Sequence, residues 1–411
     1  MDNDSEFAGC YGSQVTYDEF DKFFEESFLL NDFGEKLNCE RFATCVWGHT
    51  GLGKSSKLKQ FRNRPVAWHG KKYNGYDVRV VPIAQFEEMG DLHGLPDKHV
   101  QIEKDGDMRW VSLEIAPGYV KQGWVVNPMA GIQMRYAAPD WVPTEDGPCI
   151  IVLDDFNRAG ARIIKGIMQL LQDYGLMSWK LPAGCHIVMT ANPDEQDYFV
   201  TTIDSAVLQR MRSCTLKFDA IEWAIWAEQN SIDNRVISFV LAYPEMAIGR
   251  KRTSPRSLSE FGRYLQEIDT GNIRQMQIMA LSLLDEETVA SFITYVERDF
   301  SLQIISPEDI VSGKKNVETF LRDMMTRKEK RIDILGVICD RLYVHLRNPD
   351  IHPARDLVLN VQEFIMSSWI NSEMRYVFLV RLKKASADDP RLSRWYLGNR
   401  ELMKLVLEVL V

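Results

Sequence analysis

Apolar and polar positions change their rhythm along the chain, and each rhythm predicts a different kind of element. In the first half, short apolar runs recur at Arg41 to Trp47, Val78 to Ile83, Cys149 to Leu153 and His186 to Thr190, each closed by turn or polar residues. Runs of that length, bounded in that way, predict buried strands. Helical or irregular stretches separate them, Ser55 to Phe61 among them, and alternating strands and helices predict a parallel sheet covered on both faces. Val100 to Ile115 alternates about Asp105-Gly106-Asp107, and an Asp-Gly pair between such runs predicts a β-hairpin inserted into this α/β core. Ahead of the sheet, Phe20, Phe23, Phe24 and Leu29 fall near helical spacing within residues 16–30, as in an amphipathic helix packed on the core. From about Asp219 helical patterns dominate, with loop material at Ala247 to Pro255. Further helices are expected at Lys328 to Leu346, Ala354 to Ile370 and Arg400 to Val411, broken at Asn348-Pro349-Asp350 and Asp388-Asp389-Pro390. The expected division is an N-terminal helical segment at 1–40, an α/β core at 41–218 with its insertion at about 97–145, a helical domain at 219–300 and a helical C-terminal extension at 301–411.

Length and composition narrow the class. A chain of 411 residues exceeds one ordinary core and predicts two or three domains. With 45% hydrophobic and 26% charged residues it reads as a soluble globular protein rather than a disordered one. No apolar run approaches the roughly 20 residues that span a bilayer, and the acidic start Met1-Asp2-Asn3-Asp4-Ser5-Glu6 is no secretory signal, so a cytoplasmic location is expected. Seven cysteines without a CxxC pair read as reduced, packed thiols rather than a disulfide framework or zinc site. A net charge of -9 argues against non-specific coating of nucleic acid, which depends on phosphate neutralisation by Lys and Arg. The densest basic stretch, Lys54, Lys57, Lys59, Arg62, Arg64, Lys71 and Lys72, reads as a solvated helix face.

The chemistry begins at Gly48-His49-Thr50-Gly51-Leu52-Gly53-Lys54-Ser55, between a predicted strand and a predicted helix. Glycines let the backbone curl around an anion and aim N–H groups at it from a helix N-terminus, whose dipole favours negative charge. Lys54 then reaches the β- and γ-phosphates and the Ser55 hydroxyl ligates Mg2+. Residues 48 to 55, with Ser56 in the first helical turn, are the candidate ATP-binding set. A second apolar run ends in Asp154-Asp155, and paired carboxylates beside a core repel each other unless a cation is present. Asp154 is therefore assigned to Mg2+, usually through water, and Asp155 to polarising the attacking water. A third run ends at Asn192-Pro193, where Asn192 either orients that water or senses the γ-phosphate.

Gly48 to Ser55, Asp154-Asp155-Phe156-Asn157-Arg158-Ala159, Thr190-Ala191-Asn192-Pro193, Leu208-Gln209-Arg210 and Ser254-Pro255-Arg256 follow one another in the order of an AAA+ ATPase. The chain resembles the MoxR branch of that superfamily. The specific hints are Asp-Asp-Phe-Asn-Arg-Ala, Asp91-Leu92-His93-Gly94, Pro139-Asp140-Trp141-Val142-Pro143 and Ser254-Pro255-Arg256, and the likeness covers roughly residues 40 to 300. It implies a P-loop NTPase sheet followed by a helical lid, and a homo-oligomeric ring, usually a hexamer, with ATP between subunits. Arg210 would be the arginine finger for the neighbour's ATP, with Arg212 as runner-up, and Arg256 the sensor coupling lid to phosphates. The inserted hairpin, with Trp110 and Tyr119, would lie on the ring face or line the pore and touch the substrate. The branch normally carries glutamate where this chain has Asp155, and a carboxylate shorter by one methylene leaves the rate of hydrolysis open.

The leading expectation is thus a chaperone-like remodeller of a protein client, with a von Willebrand factor A domain protein as the partner the resemblance implies. A nucleic-acid motor or loader, and a nucleotide-dependent scaffold with little hydrolysis, are the alternatives.

Overall fold

The computed structural model describes residues 10–28, 42–193, 201, 203–269, 271–302, 305–314, 316–326 and 332–408. Leu29 of the expected first helix, and Arg41, Lys328 and Val411, which bound expected elements, lie outside these, as does Cys39. The chain divides into two units, Met1–Lys217 and Phe218–Val411.

The first unit is built on six parallel strands: β1 (Ser13–Val15), β2 (Ala43–Trp47), β3 (Asp77–Val81), β4 (Cys149–Leu153), β5 (Cys185–Ala191) and β6 (Met211–Leu216). Their order across the sheet is β1-β6-β2-β5-β4-β3, and every pair is parallel. All residues of β2, β4 and β5 are buried, as expected of strands covered on both faces. Alternation then sorts the side chains. Cys45, Trp47, Ile151, Leu153, Ile187 and Met189 join one core with Ile163, Ile167, Leu170 and Leu171 from the helix Ala161–Asp173. On the other face, Phe24 of the helix Tyr17–Phe28 meets Phe61, with ring centroids 5.9 Å apart.

Several elements differ from the sequence reading. The strand β6 was not expected, because Arg212, Ser213 and Thr215 interrupt its apolar character. Arg212 therefore sits in a strand, paired with Thr44 of β2. The basic stretch is not one solvated helix face. Lys54 is buried, Lys57 pairs with Asp21 at 3.3 Å, Arg62 donates to Val78 O at 2.6 Å, and Lys71 and Lys72 lie in a short hairpin of Val66–Trp68 and Lys71–Tyr73.

The insertion contains the expected hairpin, Leu95–Lys104 with Asp107–Ser112, and more. Asp105 and Gly106 both take positive φ (51° and 85°), which the tight two-residue turn requires. Val125–Val126 and Ile132–Ala137 add to the free side of Leu95–Lys104, giving four antiparallel strands. Val100, Ile102, Val111 and Ala116 form a small separate core, against which Tyr119 and Trp124 pack. Trp110 lies beneath Arg135, whose guanidinium carbon is 5.7 Å from the ring centroid.

The second unit is helical, from Ala220–Gln229 to Arg400–Glu408. Two apolar clusters fill it, one around Phe239, Phe261 and Phe292, the other around Leu342, Leu379 and Trp395, and Ile221 and Ile225 pack against both. Between the helices Ala220–Gln229 and Ile332–Arg347, Glu228 accepts from Arg341 Nη1 at 3.1 Å and lies 3.1 Å from His345 Nδ1. No helix among the described residues is long and apolar enough to cross a membrane. The six described cysteines are free, and burial pushes the thiols of Cys214 and Cys339 up to about 12.

Candidate functional site

Open α/β sheets gather ligands at the carboxyl ends of their strands, and here those ends carry the polar groups of interest. After β2 the chain turns through Gly48, Gly51 and Gly53, with φ of 148°, 86° and 82°, before the helix Lys54–Lys59 begins. At Gly48 the close approach is visible: a Cβ would lie 3.0 Å from Leu216 O and 3.1 Å from a Leu52 methyl. Leu52 is tied down from outside the loop, because the Tyr17 hydroxyl donates to its carbonyl. The first N–H groups of the helix have no intrahelical acceptor, and exposed Ser56 lies on that first turn.

Lys54 is buried, and its ammonium donates to Gly48 O at 2.6 Å, His49 O at 3.0 Å and Asn192 Oδ1 at 3.1 Å. Thr50 Oγ1 donates to the same Asn192 oxygen at 3.2 Å. Asn192 reaches this position because β5 lies between β2 and β4, so its strand end separates the glycine loop from the two acids. On its other side Asn192 Nδ2 donates to Asp155 Oδ1 at 2.9 Å. One amide thus touches both the lysine and the second acid.

Asp154 has a different neighbourhood. Its Oδ1 accepts from Ser55 Oγ and from Thr190 Oγ1, the latter at 2.7 Å. Thr190 Oγ1 also accepts the Asp155 N–H at 2.9 Å, fixing the turn at which the strand ends. In that turn Asp155 is left-handed (φ 52°), and its second oxygen lies 3.8 Å from Arg158 Nη1. The adjoining turn is anchored by fully buried Phe156, set edge-on to Trp47 at 6.3 Å.

Burial pushes Lys54 down to about 8, against the opposing pull of Asp155 and Asp154. It is a lysine on the edge of losing its charge, as expected where an incoming anion completes the balance. The donor set beside it is all oxygen: the Ser55 hydroxyl and the Asp154 carboxylate already converge. Hard oxygen donors of that kind suit Mg2+, so these residues fit the ion.

The strand ends bring together Lys54, Ser55, Thr50, Asp154, Asp155 and Asn192. Arg210 is engaged elsewhere, by Ala206 O at 2.5 Å and Gln172 Oε1 at 3.3 Å. Arg256 is exposed on the helix Pro255–Leu265 of the second unit. Sequence reasoning gave no role to Thr190 or Asn157, both fully buried polar residues. For Thr190 the available signal is a hydroxyl near the end of a strand whose only other polar side chain is His186.

A fully parallel sheet with a glycine loop between a central strand and its following helix defines the P-loop NTPase fold. No protein-family model and no curated protein matches the chain. Among solved structures it is similar to the closed state of Hsp104, at 12% identity and a TM-score of 0.36 over 64% of this chain. It spans 46% of that Hsp104 chain, less than half its length. It is also similar to the Thermotoga maritima RuvB Holliday junction branch migration motor, at 11% identity and a TM-score of 0.31 over 77% of this chain and 84% of that one. A point mutant of the same RuvB gives 10%, 0.33, 78% and 87% respectively. At so little identity and such partial superposition, the fold class rests on the sheet and its loop.

Proposed function

We propose that this chain binds Mg-ATP at the loop Gly48 to Ser55 and hydrolyses it, as an AAA+ ring ATPase of the MoxR-like type that remodels a protein client. The observation that carries the reading is the single amide of Asn192 spanning Lys54 and Asp155. It joins a phosphate-binding cation to a carboxylate poised for water.

The backbone of residues 48 to 53 and the first helical turn take the phosphate oxygens, and the Lys54 ammonium exchanges its carbonyl partners for the β- and γ-phosphates. Ser55 and Asp154 would hold Mg2+, which when bound would offset the charge of the phosphates. Asp155 orients a water in line with the γ-phosphorus, and Asn192 holds Asp155 in place until the phosphate draws Lys54 away. Arg210 serves the neighbouring subunit's ATP in the ring, with Arg212 as the alternate. The extension at 301–411 serves as a docking module, and a von Willebrand factor A domain protein is the proposed partner.

A scaffold that binds ATP and barely hydrolyses it is the second reading. It is favoured by the shortness of Asp155 and by its engagement with both Asn192 and Arg158. The deciding experiment is steady-state phosphate release, with and without single-stranded DNA, duplex DNA and RNA, on protein whose mass is measured with and without ATP. Turnover indifferent to nucleic acid, with ATP-dependent assembly, supports the remodeller. Nucleic-acid stimulation favours a motor or loader, and assembly without turnover favours the scaffold.

A further inference from the structure

Asn157 lies outside the phosphate-binding set, yet it is 1% exposed, in the turn Phe156–Arg158 directly after the acid pair. Both ends of its side chain go to one residue. Asn157 Nδ2 donates to Asn192 O at 2.8 Å, and Asn157 Oδ1 accepts the Asn192 N–H at 3.2 Å. An amide that grips both backbone polar groups of a single residue fixes where that residue's side chain begins. Its own carbonyl accepts Thr201 N–H at 2.7 Å, so the turn is held from the other side as well. A buried amide costs free energy unless its hydrogen bonds are met. Here they are met by the residue whose side chain spans Lys54 and Asp155.

We infer that Asn157 is a positioning residue for ATP hydrolysis: it locks the end of β5 to the turn after β4, so that the Asn192 amide meets Lys54 and Asp155 together. This rests on the ATPase reading of the same site and adds to it a residue that acts through Asn192. Without the clamp, Asn192 shifts relative to Asp155, and a misplacement of about 1 Å costs on the order of 100-fold in rate. The side-chain bonds of Asn157 go to Asn192 rather than to the loop Gly48 to Ser55, so nucleotide affinity is untouched.

The test is phosphate release by the full chain under Mg-ATP, for wild type, Asn157→Ala and the near-isosteric Asn157→Asp, with melting temperatures in parallel. Asn157→Ala lowers kcat by about 10- to 100-fold with KM within about twofold of wild type. Asn157→Asp gives the readout a merely structural role would not move. Ionised, it accepts from Asn192 N–H but cannot donate to Asn192 O; protonated, it does both. At this buried position, desolvation holds its proton on. Its kcat relative to wild type therefore rises as pH falls. A ratio that does not rise as pH falls, or wild-type kcat in Asn157→Ala, overturns the inference and leaves the ATPase reading standing. Absence of turnover in wild type overturns both. If Asn157→Ala fails to fold, the pH profile of Asn157→Asp decides alone.

Discussion

Asn192 donates its side-chain amide to Asp155 Oδ1 at 2.9 Å while the carbonyl end of the same amide accepts from Lys54. Occupancy of the glycine loop is thereby linked to the second acid through one residue. Replacing Asn192 with Ala removes both contacts, and the one from Thr50, but leaves the loop glycines, Ser55 and Asp154 in place. The expected outcome is ATP affinity within about threefold of wild type and a kcat lower by about 100-fold, read by equilibrium binding of a fluorescent ATP analogue beside phosphate release.

Lys54 supplies a pH dependence. Burial lowers its pKa to about 8, and only the protonated form attracts phosphate. Affinity for ATP is therefore full below that pH and falls as pH rises through it, by about tenfold per unit once the free protein is deprotonated. Binding titrations from about pH 7 to about pH 9.5 check this. Lys54→Arg keeps its charge across the range and gives weaker but pH-independent binding, whereas Lys54→Ala abolishes binding.

In the second unit, Arg341 and Glu228 are both largely buried, and Asn234 Oδ1 accepts from the other guanidinium arm at 2.6 Å. Removing one partner leaves a buried charge, so Arg341→Met is expected to cost about 3–5 kcal/mol, measured by denaturant unfolding. Burial would raise the Glu228 pKa, but the hydrogen bond from His345 and the charge of Arg341 outweigh it and hold the group low. A carboxyl depressed on folding stabilises the fold above its ordinary range, and the contribution is lost as pH falls through the folded value. Glu228→Gln therefore flattens the acid limb of a stability–pH curve.

Gly94 tests the root of the insertion. Its φ is 80°, and an added Cβ would lie 1.8 Å from Ala137 O, where the first and last strands of the insert meet. Gly94→Ala is expected to cost at least about 2 kcal/mol and to open the segment 95–137 first, visible as faster hydrogen exchange there than in β4 or β5.

The strands β2, β4 and β5 are legible in the sequence because burial on both faces demands largely apolar runs, and Cys149–Leu153 is found at its expected bounds. The strand β6 is not, since Arg212 and Ser213 break its apolar character, while the sheet pairs them with Thr44 and Cys45. Lys54, Ser55, Asp154, Asp155 and Asn192 can be named from motif order alone. The contacts among them cannot, because these depend on β5 lying between β2 and β4, and strand order leaves no mark on local pattern. The roles of Thr190 and Asn157 are hidden for the same reason: each acts across strand ends on a residue distant in sequence.

The most direct measurement is phosphate release under saturating Mg-ATP by wild type and Asp155→Asn, with ATP affinity measured on both. Asn tolerates the left-handed backbone at this position as well as Asp does, so the turn survives and only the carboxylate is lost. The account predicts turnover in wild type, and in Asp155→Asn unchanged affinity with turnover reduced to background. Equal turnover in the two proteins would contradict it.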